Sequence, residues 1–214
     1  MSAPRTVNLC GRQLDEPGHI CAFFDSREEE YDILAPFYSE GIALDEEIIS
    51  VVGADRYDDH CRRLQAHGID VAKETEDGKL HVLTADEWYM KGGPFGATRM
   101  YELVQGALAD LQRKGRRARG SGVMDWALNG GAEPNELMVY ESRVNFLIPT
   151  YECTLLCVYD VNELDEEMRA NLLQTHPYVI EGRRLRENPQ YVQPVEWLRK
   201  SLLPDTEQPT LRRQ

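Results

Sequence analysis

The chain has 214 residues, 42% of them hydrophobic and 29% charged, which is enough apolar side chain for one domain with a sizeable core. With 24 Lys plus Arg against 37 Asp plus Glu, the net charge is −13, so approach to a phosphate backbone is repulsive and direct nucleic-acid binding is not expected. No apolar run approaches the roughly 18 residues of a membrane span, and no signal-peptide pattern opens the chain, so a cytoplasmic protein away from membranes is expected.

Residues 1–16 carry few apolar side chains and read as a mobile N-terminal arm, with one short edge strand around Val7-Asn8-Leu9-Cys10. Residues 17–197 read as one domain, and 198–214 as a flexible polar tail. Within the domain, His19 to Phe24 is a continuous apolar run, too short for a helix, that ends at Asp25. It reads as a strand buried on both faces. From Ser26 to Leu44, apolar side chains at Tyr31, Ile33, Leu34, Phe37, Tyr38 and Ile42 follow helical spacing behind an acidic first turn, and Pro36 is expected to kink or break that helix. Glu47 to Gly53 reads as a second buried strand. Asp55 to His67 reads as a polar helix stopped by Gly68, with His60 and His67 in solvent. A strand at Leu80 to Thr84, a loop at Tyr89 to Gly96 and a helix at Thr98 to Lys114 follow. A basic group (Arg113, Lys114, Arg116, Arg117, Arg119) then precedes a strand and its departing loop over Gly120 to Leu128. A helix opens near Pro134 and is ended by Pro149. Cys153 to Tyr159 is a strand with the same aromatic-Asp ending as the first, followed by a helix at Leu164 to Leu173 and a strand and turn from His176 to Gly182.

This alternation predicts an α/β fold, a mainly parallel sheet flanked by helices in three layers. Ligands of such sheets sit outside the carboxyl ends of the strands, which is where Asp25 and Asp160 fall; each also suits the N-cap of the helix it precedes. The turn after Asp25 reads Ser26-Arg27-Glu28-Glu29-Glu30, without the glycines, lysine and hydroxyl of a phosphate loop, and Gly92 to Gly96 lacks the lysine-hydroxyl pair, so ATP hydrolysis is not expected. The cysteines (Cys10, Cys21, Cys61, Cys153, Cys157) are odd in number and read as buried structural thiols. His19 or His176 could ligate a metal beside a carboxylate, but no His-x-His or His-x3-His pair supports one, so neither a metal nor a cofactor is assigned. An aromatic and sulphur-rich set at the strand ends could line a pocket with polar anchors. The ligand-binding residues expected are His19, Phe24, Asp25, Met124, Trp126, Glu141, Tyr159 and His176. A rival reading is an enzyme with His176 or Glu141 as general base.

Several segments together resemble one family. They are Gly18 to Asp25 with its Glu-rich helix, Leu34-Ala35-Pro36-Phe37, Gly120 to Leu128, Tyr140 to Asn145, Cys153 to Asp160, Thr175-His176-Pro177 and Glu187-Asn188-Pro189. In order and spacing they are similar to MEDS, the methanogen/methylotroph sensory domain named in part from the dichloromethane-responsive repressor. The resemblance implies a RecA-like, circadian-clock-ATPase-like fold with a degenerate phosphate loop, and a sensory role toward small hydrocarbon derivatives. Family members are often fused to a DNA-binding helix-turn-helix or a kinase-type ATPase domain. Neither is read in this sequence, so the ligand signal is expected to pass to a separate partner protein, in the service of transcription regulation; an alternative is a ligand-free protein-interaction subunit that regulates a kinase or anti-sigma partner. Homo-oligomers are expected too, with the basic group docking on an acidic face of a second copy.

Overall fold

A computed structural model describes residues 6–202; the first five residues of the expected arm and residues 203–214 of the expected tail lie outside them. Strands β1 (Val7–Leu9) and β2 (Arg12–Leu14) pair as an antiparallel hairpin. Val7, Leu9 and Leu14 are buried, and the Asn8 backbone N–H donates to Glu40 at 3.2 Å, so this stretch is a docked hairpin and not a loose edge strand. The alternation of apolar and polar residues is too brief to be conspicuous in sequence.

The main sheet opens with β3 (His19–Phe24), buried throughout. It feeds α1 (Arg27–Ala43), whose N-cap is Ser26, with its hydroxyl accepting from Glu29 N; Asp25 stands one residue earlier and does not cap. The helix is continuous through Pro36. There follow β4 (Glu47–Val52), α2 (Tyr57–Ala66), α3 (Val71–Glu76), β5 (Leu80–Thr84), the short α4 (Ala85–Trp88), α5 (Ala97–Arg113) and β6 (Ala118–Val123). Next come α6 (Pro134–Val144), the short α7 (Leu147–Tyr151), which contains the Pro149 expected to end a helix, β7 (Thr154–Asp160), α8 (Glu166–Thr175), β8 (Tyr178–Glu181), β9 (Arg184–Glu187) and α9 (Pro194–Leu202). Asp160 does cap a turn, accepting from Asn162 N at 2.9 Å, but α8 is capped by Asp165. Because α9 buries Trp197 and runs to Leu202, the folded part extends past residue 197.

The seven strands run in the order β5-β4-β6-β7-β3-β8-β9, parallel except for β9. Strand alternation divides the core in two. Cys21, Phe23, Val51, Cys157 and Tyr159 face α5, α6, α8 and α9, whereas Ile20, Ala22, Phe24, Ile48 and Val158 face α1 and α2. The result is the expected α/β architecture in three layers, and among the described residues no helix is long and apolar enough to cross a membrane.

Two polar features on the α1 side differ from the sequence reading. His60 is fully buried, its Nδ1 2.6 Å from the Tyr31 hydroxyl and its Nε2 2.9 Å from Ser50 Oγ, which also accepts from Tyr38. One face of a polar helix must still meet the sheet, and the hydroxyls there make a histidine fit. The arginines of the basic group pair with acids of the same chain. Arg116 pairs with Glu47 at 2.7 Å, Arg117 with Glu152 at 2.7 Å and Arg113 with Asp110. Arg119 lies on β6, 1% exposed, donating to Glu40, Glu46 and the Phe37 carbonyl. Of these, Arg113 keeps most of its side chain in solvent, Arg116 and Arg117 about a quarter to a third, and Arg119 almost none.

Candidate functional site

The expected ligand residues separate into two places. His19, Glu141, Tyr159 and His176 meet inside the core on the α6 side, joined by Cys157. Phe24, Asp25, Met124 and Trp126 lie toward the carboxyl ends of the strands.

The inner group is assembled from four segments. His19 opens β3, and the two-residue strand period puts Cys157 and Tyr159 on the same face of β7. Glu141 and Asn145 share a face of α6 by their spacing of four. His176 stands in the α8–β8 turn, whose carbonyls are clamped by two asparagines. Asn145 Nδ2 donates to Thr175 O at 2.8 Å, and Asn188 Nδ2 donates to His176 O at 2.7 Å and Leu173 O at 2.5 Å. The side chains of His19, Glu141 and His176 are completely buried.

Glu141 is the hub. Its Oε1 accepts from the Tyr159 hydroxyl at 2.6 Å, and its Oε2 accepts from Cys157 Sγ at 3.2 Å. The same Oε2 lies 3.2 Å from His19 Nε2 and 3.4 Å from His176 Nε2. His19 Nε2 is also 3.3 Å from Cys157 Sγ, and the two imidazoles lie with centroids 4.0 Å apart. Burial opposes charge on Glu141, but the His176 and His19 rings beside it outweigh that, and its carboxyl is held well below the usual range. Burial, then the neighbouring His176, push the His19 imidazole down to about 4. Burial and the Glu141 carboxylate push the Cys157 thiol well up. A carboxylate held so firmly ionised and sealed from solvent is a poor general base, which disfavours the enzyme reading for Glu141.

Beside this group, on the same sheet face, lies a partly enclosed cavity of about 50 Å³ between β4, β6, β7 and α5–α6. Val104, Leu108, Tyr140, Val144, Leu155 and Cys157 contribute to its wall, and Gly120 and Gly122 to its floor. A Cβ on Gly120 would come within 2.6 Å of Leu155, and one on Gly122 would meet the Tyr89 hydroxyl. Tyr89 stacks on Trp126 at 4.7 Å, and Phe95 bridges Trp126 and Tyr140. The Trp126 indole N–H is buried without a hydrogen bond.

At the carboxyl edge, Arg56 donates to both Glu30 oxygens at 2.8 Å and to Asp125 at 2.7 Å, and Arg27 donates to Glu30 at 2.9 Å. Arg27, Arg56 and Asp125 border a polar cleft of about 390 Å³ that also takes in Trp126 and Asp160. Asp25 is exposed there, Met124 is buried at the end of β6, and the Phe24 side chain packs on the opposite face, toward α1. The glycine loop before α5 is tied down by Arg99, which donates to the carbonyls of Tyr89 and Gly93 at 3.1 and 2.9 Å. The Ala97 N–H already donates to Glu136 at 2.8 Å, so a carboxylate sits where an anion would bind.

Sequence reasoning missed Cys157 as a member of the inner group. The available signal was its two-residue spacing to Tyr159. Nothing in the linear pattern brings His19 to His176, because strand pairing across the sheet does that.

Comparison with known proteins gives one family match. Residues 18–177 fit MEDS, described as the MEthanogen/methylotroph, DcmR Sensory domain. No curated protein matches the chain. The matched span contains the central strand β3, the glycine strand β6 and every member of the buried His-Glu-Cys-His group, and the chain belongs to the MEDS family of sensory domains.

Proposed function

We propose that the domain is a receptor for a small organic molecule of hydrocarbon-like character, taken up in the cavity over Gly120 and Gly122, and that it hydrolyses no ATP. The cavity carries this reading. Its walls are apolar, its floor is two glycines, and its volume of about 50 Å³ is several times the roughly 10–15 Å³ that one water needs on that measure and well short of the ~150 Å³ that accepts benzene. A ligand of a few heavy atoms suits it. The fold is read as a RecA-type sheet in which Ser26 and Glu28 to Glu30 replace a phosphate cradle after β3. Occupancy is relayed through Tyr89 and its stack on Trp126 to the carboxyl edge, where a cytoplasmic signalling protein or a second copy of the chain receives it. A ligand shifts that edge only as far as it binds one arrangement better than the other.

Heteronuclear NMR with dichloromethane as the probe tests this. Saturable shifts are expected at Tyr89, Tyr140, Val144 and Leu155, and their loss in Gly122→Ala. A wild-type spectrum unchanged up to the solubility limit rejects the cavity as a receptor site, and micromolar binding of magnesium-ATP by calorimetry rejects the absence of a nucleotide function.

A further inference from the structure

We propose that His19, Glu141, Cys157 and His176 bind one zinc-class divalent transition-metal ion in a closed, four-coordinate site. One donor atom from each residue lies within 4.8 Å of all the others, and all four residues are buried. Four of the separations, from 3.2 to 3.4 Å, are given above. A tetrahedral zinc with bonds of 2.0–2.3 Å sets its donors roughly 3.3–3.8 Å apart, so the group is at coordination spacing with little adjustment.

The hydrogen bonding of His176 leaves its inward nitrogen available to a metal. Its Nδ1 lies 2.8 Å from the Leu172 carbonyl, which can only accept, so in the neutral ring the proton is on Nδ1 and Nε2 carries a lone pair. That Nε2 has no hydrogen-bond partner and faces a carboxylate oxygen. A metal ion between them would accept a lone pair from each in place of a proton. His19 also turns its Nε2 to the cluster, 3.2 Å from Glu141 Oε2 and 3.3 Å from Cys157 Sγ.

The surroundings are those of a ligated metal. The Leu172 carbonyl fixes the His176 tautomer, and the Tyr159 hydroxyl occupies Glu141 Oε1 and leaves Oε2 to coordinate. Two imidazoles, a thiolate and one carboxylate oxygen suit zinc, or cobalt and nickel in its place, and do not suit the six to eight oxygens that calcium takes. On binding, Cys157 Sγ–H exchanges for Sγ–metal and the proton leaves to solvent. One dication then balances the Glu141 carboxylate and the Cys157 thiolate, so the buried site is neutral. With all four positions filled by protein, the ion has no open coordination site and pins β3, β7, α6 and the α8–β8 turn together. The site adjoins the receptor cavity only at Cys157 and stands whether or not that cavity takes a ligand.

Untagged full-length protein expressed with excess Zn²⁺ and dialysed should hold about one zinc per chain by mass spectrometry of the metal. Protein refolded with Co²⁺ should show the intense visible bands of tetrahedral cobalt and a thiolate-to-cobalt charge-transfer band. The latter is lost in Cys157→Ala, and zinc content falls at least tenfold in His19→Gln with His176→Gln. Gly122→Ala, which fills the cavity, should keep its zinc. If the ligand variants do not fold, the wild-type stoichiometry and cobalt spectrum decide. Folded wild-type protein with under a tenth of an ion per chain and no cobalt bands overturns the proposal, as does full zinc retention in folded ligand variants.

Discussion

His60 shows how a single buried base couples this fold to acid. Burial and then the Arg56 guanidinium push its imidazole down to about 3, while Asp59 pulls weakly the other way; Tyr31, Tyr38 and Ser50 complete its surroundings. In the unfolded chain the same ring takes up a proton near 6.5, so between the two values the unfolded state binds more protons. Stability from this group is therefore whole above about pH 6.5 and falls as pH drops, by up to ~1.4 kcal/mol per unit. Urea midpoints measured from pH 7.5 to 4.5 should decline, and His60→Gln should flatten that decline while lowering the neutral-pH value. An unchanged slope would assign the acid sensitivity elsewhere. Tyr159→Phe isolates the hub in the same way. It leaves Glu141 Oε1 buried without its 2.6 Å donor, and a loss of ~1–3 kcal/mol in urea unfolding is expected.

At the scale of elements, the β3–α1 junction offers a sharp test. Ser26→Ala removes the hydroxyl that accepts from Glu29 N and should cost ~1 kcal/mol, whereas Asp25→Ala, one residue outside the cap, should cost much less. The reverse order would return the cap to Asp25. The same junction shows what was legible beforehand. β3, β4 and β7 announce themselves as apolar runs, and α5 by its spacing, because each buries one continuous surface. β6 is legible only in part: the strand expected from Gly120 begins at Ala118, inside the basic group, and its middle reads Gly120-Ser121-Gly122, which lacks the side chains that mark strands. Arg119 looks like surface charge in sequence, yet Gly41 leaves room for its stem and Glu46 and Glu40 wait at its end. The asparagines at 145 and 188 resemble ordinary polar residues until the α8–β8 turn needs its carbonyls held. The residues of the inner site were mostly named in advance, but not their meeting, since β3 and β7 come together through non-local pairing that no local pattern encodes.

The whole molecule depends on its ends more than a reading of arm, domain and tail implies. Removing residues 1–16 takes away the hairpin and uncovers the α1 side, so the truncated chain should melt several degrees lower by circular dichroism. An unchanged melting temperature would restore the arm. The double charge reversal Arg116→Glu with Arg117→Glu breaks pairs to Glu47 and Glu152, both partly solvent-screened, and should lower stability by ~1 kcal/mol without altering the salt dependence of light scattering. The placement of β3 sets one further condition, which concerns synthesis. The first strand of the main sheet is not an edge. It lies between β7 and β8, whose partners in register begin at Leu155 and Tyr178. At about 5–20 residues per second, the roughly 130 residues between them take about seven to twenty-six seconds to make, and for that long the ribosome exposes this apolar strand before β7 emerges to cover it. During that interval the helices of the α1 layer can cover one face of the strand, but its β7 and β8 edges stay unpaired, and the nascent chain becomes a natural client for whatever holds unpaired strands apart until translation is done.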